Sequence, residues 1–404
     1  MEQLILPEAA WQTRPGLREV CDVLGAQRGE ARFVGGAVRD TLLGIDVSDV
    51  DLATRHTPED VLDRLRAARI KAVPTGIAHG TITAVLGDGH PVEITTLRSD
   101  VATDGRHATV AFTDDWREDA ARRDFTMNAL YADPVTREIF DYFDGRTDLA
   151  AGRVRFIGDP LQRIAEDHLR ILRFFRFHAR FGDVPDAEGL EACAARANNL
   201  MALSRERIAA ELLKLLVAPG AVATLTLMVE HGILLPVLPE IVPAGIGTFA
   251  RVAAGEAAAG VDSDPIRRLA AILPCDAAIG EDVAARLKLS TLQRKRIVSA
   301  LTPGVPQPEV LAYRLGTERA LDRWLLAHPD DAENARLIRD WAAPIFPLSG
   351  GAIVARGVDK GPDVARLLRM VEDRWIADGF PDAERAGGLA DEAVAQFKRS
   401  ANIA

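Results

Sequence analysis

The chain has 404 residues, more than one hydrophobic core usually serves, so more than one domain is expected. It is 48% hydrophobic and 27% charged, as soluble proteins are, and its net charge of −10 excludes a surface coated in positive charge for indiscriminate nucleic-acid binding. A local basic stripe for RNA remains compatible with that balance. No apolar run approaches the roughly 20 residues that cross a bilayer, and the N-terminus, with Glu2 and Glu8, lacks the apolar stretch of a signal peptide. Cys21, Cys193 and Cys275 are too few and too far apart for a disulfide framework or a zinc cluster. They read as buried thiols of a reducing compartment, so the expected location is cytoplasmic, with no membrane partner.

In chain order, ARFVGG (31–36) predicts a short strand running into a glycine turn, and AVRDTLLG (37–44) a short helix closed by Gly44. DVDLAT (49–54) predicts a strand. Thr57 then reads as an N-cap, with Pro58 in the first helical position and Glu59 and Asp60 in the first turn. GTITAVL (80–86) and PVEITTL (91–97), joined by Gly-Asp-Gly, predict a hairpin. From about residue 150 apolar residues recur at threes and fours, as in Ile164, Leu169, Ile171, Leu172 and Phe175, and helices are expected to the end. Breaks are expected near Gly152, Pro219-Gly220, Pro303 to Pro308 and Pro344 to Gly351. The fold class is therefore α+β, a mixed N-terminal domain followed by an elongated helical array.

Four clusters carry chemistry. Asp49 and Asp51 are two apart on a predicted strand, which puts both carboxylates on one face, able to hold Mg²⁺ together with nucleotide phosphates. A pair of metals so held would activate a 3′-hydroxyl and stabilise departing pyrophosphate. Glu93 is a candidate third carboxylate from a neighbouring strand. Taken singly, each reads first as an exposed strand residue. Gly35-Gly36 precedes a helix carrying Arg39, where open backbone N–H groups and a guanidinium suit a triphosphate; the plain alternative is a strand-to-helix turn. In Arg122-Arg123-Asp124-Phe125-Thr126-Met127-Asn128 the arginines suit phosphates, while Asp124 and Asn128 suit a ribose. A surface ion-pair patch is the equal alternative.

The fourth cluster runs from Glu166-Asp167 through the most basic stretch of the chain, with Arg163, Arg170, Arg173, Arg176 and Arg180. Asp167 and Arg170 are spaced i and i+3, as on one helical face, where the plain alternative is a weak ion pair. A carboxylate only accepts hydrogen bonds and a guanidinium only donates. Cytosine and adenine both present an amine donor beside a ring-nitrogen acceptor, whereas guanine and uracil present the reverse. One Asp–Arg pair can thus accept C and A and reject G and U, a template made of protein.

Together, RFVGGAVRDTLLG, the DVD pair, TGIAHGTIT with VEITTLR, RRDFTMNAL, DPLQRIAEDHLRILRFFRFHARFG and SRERIAAELLKLL resemble the class II tRNA nucleotidyltransferase and bacterial poly(A) polymerase family, densely over residues 30–217. The resemblance implies a polymerase-β-like nucleotidyltransferase head (1–150), a helical neck that selects the nucleotide (151–217), a body (218–302) and a tail that contacts tRNA (303–404). It implies that Asp49 and Asp51 hold Mg²⁺, that Gly35, Gly36 and Arg39 face the triphosphate, and that Arg123, Asp124 and Asn128 contact sugar and phosphates. It also assigns base reading to Asp167 and Arg170, within a nucleotide site that Arg173 and Arg176 extend. Residues 98–119 fall where the family has a mobile loop, with Gly105 as a natural hinge, and Arg205, Glu206 and Glu211 brace the neck.

The substrates so implied are CTP and ATP, and the partner is the 3′ end of tRNA rather than DNA; monomer and dimer stay equally open. Poly(A) polymerase, a partial enzyme adding only CC or only A, and an inactive RNA-binding relative compete with full CCA addition. The plain C-terminal helix (LADEAVAQFKRSANIA) favours CCA addition over a polymerase with a basic extension. Lys360 and Arg356, beside the helix start at Gly361-Pro362, are candidate tRNA backbone contacts or ordinary solvated charges. His79, His90 and His168 are isolated and read as structural or exposed.

Overall fold

The computed structural model describes residues 4–77, 80–104 and 107–401; the readings attached to Glu2, His79 and Gly105 lie outside the described residues. Its contacts gather into two compact units. The first comprises Met1–Ala250, Asp264–Pro274 and Ala278–Arg294, and the second Arg251–Ser263, Cys275–Ala277 and Lys295–Ala404.

The first unit is built on strands β1 (Ala31–Val34), β2 (Val50–Thr54), β3 (Lys71–Gly76), β4 (Thr81–Val85), β5 (Pro91–Thr96), β6 (Arg98–Asp104), β7 (His107–Phe112), β8 (Leu130–Ala132) and β9 (Ile139–Asp141). Seven of them form one sheet in the order β3-β4-β5-β2-β1-β8-β9, mixed because β2 and β5 run parallel while the other neighbours are antiparallel. The period of two in β5 buries Val92, Ile94 and Thr96 and leaves Pro91 and Glu93 outward, so one face joins the core and the other stays open to a ligand.

Helices α1 (Leu17–Val23), α2 (Gly36–Leu42), α3 (Pro58–Ala67), α4 (Trp116–Ala121) and α5 (Gly145–Ala150) complete the sheet domain. Thr57 caps α3 as its sequence predicts, its side chain accepting from the Asp60 amide. Residues 98–119, which fall where the family has a mobile loop, hold the β6–β7 hairpin and the start of α4. The overlooked signal is the β-prone run Ala108-Thr109-Val110-Ala111-Phe112.

After the sheet come α6 (Pro160–Glu166), α7 (Arg170–Phe181), α8 (Ala187–Ala195), α9 (Arg205–Leu216) and α10 (Ala221–Glu230). Asp159 caps α6, with Pro160 in its first turn, and Ser204 caps α9. The apolar stripe of α7 packs Phe174 against Phe156 and Phe177 against Phe125, fixing this helix over the Arg122–Asn128 segment. Buried Cys21 and Cys193 match expectation, but Cys275 is exposed, because it follows Pro274 outside any helix.

The second unit is helical. Residues 362–377 and 383–401 pack as a pair around Trp375, Val371, Leu389 and Ala393. Buried Asp322 accepts from two nitrogens of Arg296 at 2.8 and 2.9 Å. Arg356 is spent on Asp391 and on the carbonyls of Ala352 and Gly387, so it is a helix-joining residue here, while Lys360 is exposed.

Candidate active site

The glycine turn comes first. Gly35 sits at φ 69°, ψ −121°, a backbone conformation open in practice only to glycine, and it launches α2. Trp11 Nε1 donates to Thr41 Oγ1 at 2.9 Å and fixes α2 from the N-terminal side. Arg39 is 7% exposed. Its Nε donates to Asp40, its Nη1 donates to Asn128 Oδ1 at 2.5 Å, and its guanidinium lies 4.3 Å from the Phe181 ring. Burial lowers its pKa, offset in part by Asp40.

Asp51 is the second residue of β2, and Asp49 lies just ahead of that strand rather than within it. The loop before Asp49 is fastened by Arg14, whose guanidinium donates to the carbonyls of Val47 and Ser48, and Ser48 Oγ donates to Asp49 Oδ2 at 3.0 Å. Asp51 and Glu93 are direct partners in the parallel β2–β5 ladder, which puts their side chains on one face, about 5 Å apart along the strand spacing. Burial, and then the charge of Glu93, push the Asp51 carboxyl up to about 6. Asp51 and Glu93 side by side would supply only part of a divalent cation's oxygen shell, the rest of which would come from a bound triphosphate, and no group of three such side chains among the described residues gathers round one point.

Arg122–Asn128 is a braced network rather than a surface patch. Asp119, 1% exposed, accepts from Arg122, from Arg123 Nη2 at 3.1 Å and from the Tyr131 hydroxyl at 2.6 Å. Asp124 accepts from the Phe125 amide and Asn128 Nδ2 on Oδ1, and from Arg173 Nε at 2.7 Å on Oδ2. Burial would raise the Asp124 pKa, but Arg173 and Asn128 outweigh it and hold the group ionised. Both its oxygens therefore already have protein donors. Arg176 similarly holds Glu211 at 2.5 Å.

The shared helical face expected for Asp167 and Arg170 is not formed. The helix ends at Glu166, and Asp167 is extended at φ −148°, ψ 107°. Its carboxylate accepts from the Leu169 amide at 3.0 Å, the local bond by which an aspartate competes with helix continuation and starts a new one. Nor do the two residues pair. Arg170 donates to Glu166 at 2.6 Å and to the Arg122 carbonyl, while Asp167 takes Arg207 of α9. Arg163 accordingly lies on α6, apart from the arginines of α7. His168 Nδ1 bonds the Ile164 carbonyl, and His90 faces Asp88, both structural.

One open cavity of about 800 Å³ is lined by Gly35, Gly36, Arg39, Asp49, Asp51, Glu93, Arg123, Asp124, Asn128, Asp167, Arg170, Arg173 and Arg176. All the candidate site residues thus share one wall-lined space, with the carboxylates of β2 and β5 in it together with Asp167 and Arg170. Arg122, Phe177, Arg180 and Lys214 also line it, and Lys214 was not singled out from the sequence. Its signal was present: Arg207, Glu211 and Lys214 recur at i, i+4 and i+7 on α9, a polar stripe beside the apolar Ile208, Leu212 and Leu215. Asp40 and Asp46 line it as well, so arginines and Lys214 that suit phosphates stand beside carboxylates that suit a cation.

The sequence profile of the Poly A polymerase head domain matches residues 31–155, and that of the probable RNA and SrmB-binding site of polymerase A matches residues 185–244. The mitochondrial CCA tRNA nucleotidyltransferase 1 of Mus musculus is 35% identical over 386 residues, 90% of this chain and 87% of the relative. The CCA-adding enzyme of Lactococcus lactis subsp. lactis is 39% identical over 231 residues, 56% of each chain. The crystal structure of the Bacillus stearothermophilus CCA-adding enzyme in complex with CTP superposes with a TM-score of 0.72 at 26% identity, covering 96% of this chain and 100% of that one. Fold and similarity together define a nucleotidyltransferase. The chain belongs to the CCA tRNA nucleotidyltransferase family, which shares its head domain with poly(A) polymerase.

Proposed function

We propose that this enzyme adds C, C and A to the 3′ end of tRNA from CTP and ATP, without a nucleic-acid template, releasing pyrophosphate at each step. The observation that carries the reading is the common cavity lined by the β2–β5 carboxylates and by Asp167 and Arg170, in a chain 35% identical to a CCA tRNA nucleotidyltransferase along 90% of its length. Asp49 and Asp51 would hold Mg²⁺, with Glu93 beside them. Bound there, the metal supplies Lewis-acid activation of the 3′-hydroxyl and charge neutralisation for the leaving pyrophosphate.

The chain's own groups do the rest. The Gly35-Gly36 turn lets the triphosphate approach the backbone closely. Arg123, Arg173 and Arg176 neutralise phosphates, Arg39 sets the wall behind them, and Asp124 with Asn128 shapes the ribose end. Asp167 accepts from the exocyclic amine of C or A and Arg170 donates to the ring nitrogen. Asp167 can do so while held by Arg207, since a carboxylate offers about four acceptor positions.

The proposal divides the work into head (1–150), neck (151–217), body (218–302) and tail (303–404). No helix among the described residues is long and apolar enough to cross a membrane. The three unpaired cysteines support work in a reducing compartment, the cytoplasm in this proposal, although the mouse relative carries the designation mitochondrial. The test is incubation with tRNA lacking its 3′ end and with CTP and ATP. Addition of C-C-A followed by arrest supports the proposal, and long A tails on unrelated RNA contradict it.

A further inference from the structure

Arg123 has three guanidinium nitrogens, and two are committed to a buried hub. Its Nε donates to the Tyr131 hydroxyl at 3.2 Å and its Nη2 to Asp119 Oδ2 at 3.1 Å. The Tyr131 hydroxyl in turn donates to the same Asp119 oxygen at 2.6 Å, closing a ring of three side chains. Tyr131 is fully buried on β8, and Asp119 is 1% exposed on α4. The remaining nitrogen, Nη1, is turned toward the glycine launch of α2: it lies 3.7 Å from the position a side chain on Gly35 would take. Both Gly35 and Arg123 line the cavity.

The other oxygen of Asp119 carries the second half of the hub. Oδ1 accepts from Arg122 Nε at 2.9 Å and Nη2 at 2.6 Å, and from the Arg98 amide at 3.3 Å, where the β6–β7 hairpin begins. Burial alone would push the Asp119 carboxyl up, yet Arg123, Arg122 and the Tyr131 hydroxyl hold it at about 2. It is therefore a fixed anion throughout the physiological range. A fixed anion beneath two arginines does two things: it keeps long, rotamer-rich side chains in one pose, and it selects which N–H edge is left for a ligand.

We propose that Asp119 and Tyr131 are positioning residues that aim the Nη1 edge of Arg123 at the nucleotide phosphates, and that neither touches the substrate. This inference rests on the phosphate role proposed for Arg123. A pre-aimed guanidinium binds without first losing rotamer entropy, so breaking the ring weakens nucleotide binding more than it slows chemistry.

The test compares Tyr131→Phe, Asp119→Asn and the double variant with wild type in the full chain. CTP and ATP affinity is measured by calorimetry in Mg²⁺ buffer, and KM and kcat by addition to tRNA lacking its 3′ end. Tyr131→Phe keeps the ring that packs edge-on against Trp116 and Tyr142, so it decides the matter even if Asp119→Asn fails to fold. Expected for Tyr131→Phe is a loss of roughly tenfold in affinity for both nucleotides, a matching rise in KM and a kcat within about threefold of wild type. The double variant is expected to bind no worse than Asp119→Asn alone, because both act through one guanidinium. Wild-type affinity in folded Tyr131→Phe, or losses that simply add, would overturn the proposal. A wild-type chain that binds nucleotide but adds none to tRNA would sink the proposed function while leaving this binding comparison decisive.

Discussion

Arg207 grips Asp167: its Nη2 lies 2.9 and 3.2 Å from the two carboxylate oxygens, joining α9 to the break between α6 and α7. The break leaves Asp167 without helical support, so the pose of its carboxylate depends on this one guanidinium and on the Leu169 amide. Arg207→Ala is therefore expected to blur nucleotide choice. Misincorporation of UTP and GTP relative to CTP should rise about tenfold, with a smaller loss in CTP rate, since roughly one charge-assisted hydrogen bond is at stake. Single-turnover assays with each nucleotide read the ratio, and an unchanged ratio would mean that Asp167 does not select the base.

Asp51 predicts a trade between stability and activity. Its carboxyl is raised from 3.8 to about 6 by burial and Glu93, so the folded metal-free chain binds that proton more tightly than the unfolded chain does. The resulting stabilisation is complete below pH 3.8 and is lost as pH rises through about 6. At neutral pH the ionised group costs on the order of 1–3 kcal/mol, so Asp51→Asn should raise the melting temperature of the metal-free protein while abolishing incorporation. Thermal melts with and without Mg²⁺ check it: wild type should be stabilised by the ion and the variant should not. Equal stabilisation of both would remove Asp51 from the metal site.

The general plan of the fold was legible because local signals agreed with tertiary demand. Thr57-Pro58 announced α3, the Gly-Asp-Gly corner announced β4–β5, and the outward Glu93 followed from strand alternation. The meeting of Asp51 and Glu93 on one face was legible for the same reason, since it follows from simple strand pairing. What failed were readings that needed long-range partners. The i, i+3 spacing of Asp167 and Arg170 suggested a helix face, yet Asp167 satisfies a backbone amide locally and pairs with an arginine 40 residues away. Nor did the sequence signal that Arg173, 49 residues on, takes one oxygen of Asp124.

Gly35→Ala should be costly although space exists for a methyl group, whose nearest neighbours would lie 3.6 and 3.7 Å away. The obstacle is the backbone, at φ 69° and ψ −121°. A loss of about 1–3 kcal/mol in stability is expected, with weaker nucleotide binding because the turn relaxes away from the phosphates. Denaturant unfolding and CTP titration measure the two effects, and a variant indistinguishable in both would show that the turn tolerates a side chain.

The buried Arg296–Asp322 pair gives a prediction for the second unit. Asp322→Ala strips the buried Arg296 guanidinium of its bonds at Nε and Nη2 and leaves it Glu318 at Nη1, which should cost about 3 kcal/mol. Replacing both residues by apolar ones of similar size should cost less. Chemical denaturation of the single and double variants decides it, and a mild single-variant loss would show that water reaches the pair.

The central claim is that protein side chains, with no nucleic-acid template, dictate C, C and then A. The most direct measurement offers tRNA lacking its 3′ end all four nucleotides at equal concentration and sequences the product ends, for wild type and Asp167→Ala. The account predicts C-C-A and then arrest for wild type, and mixed ends with G and U for the variant. Uniform A tails from wild type, or unaltered C-C-A from Asp167→Ala, would contradict it.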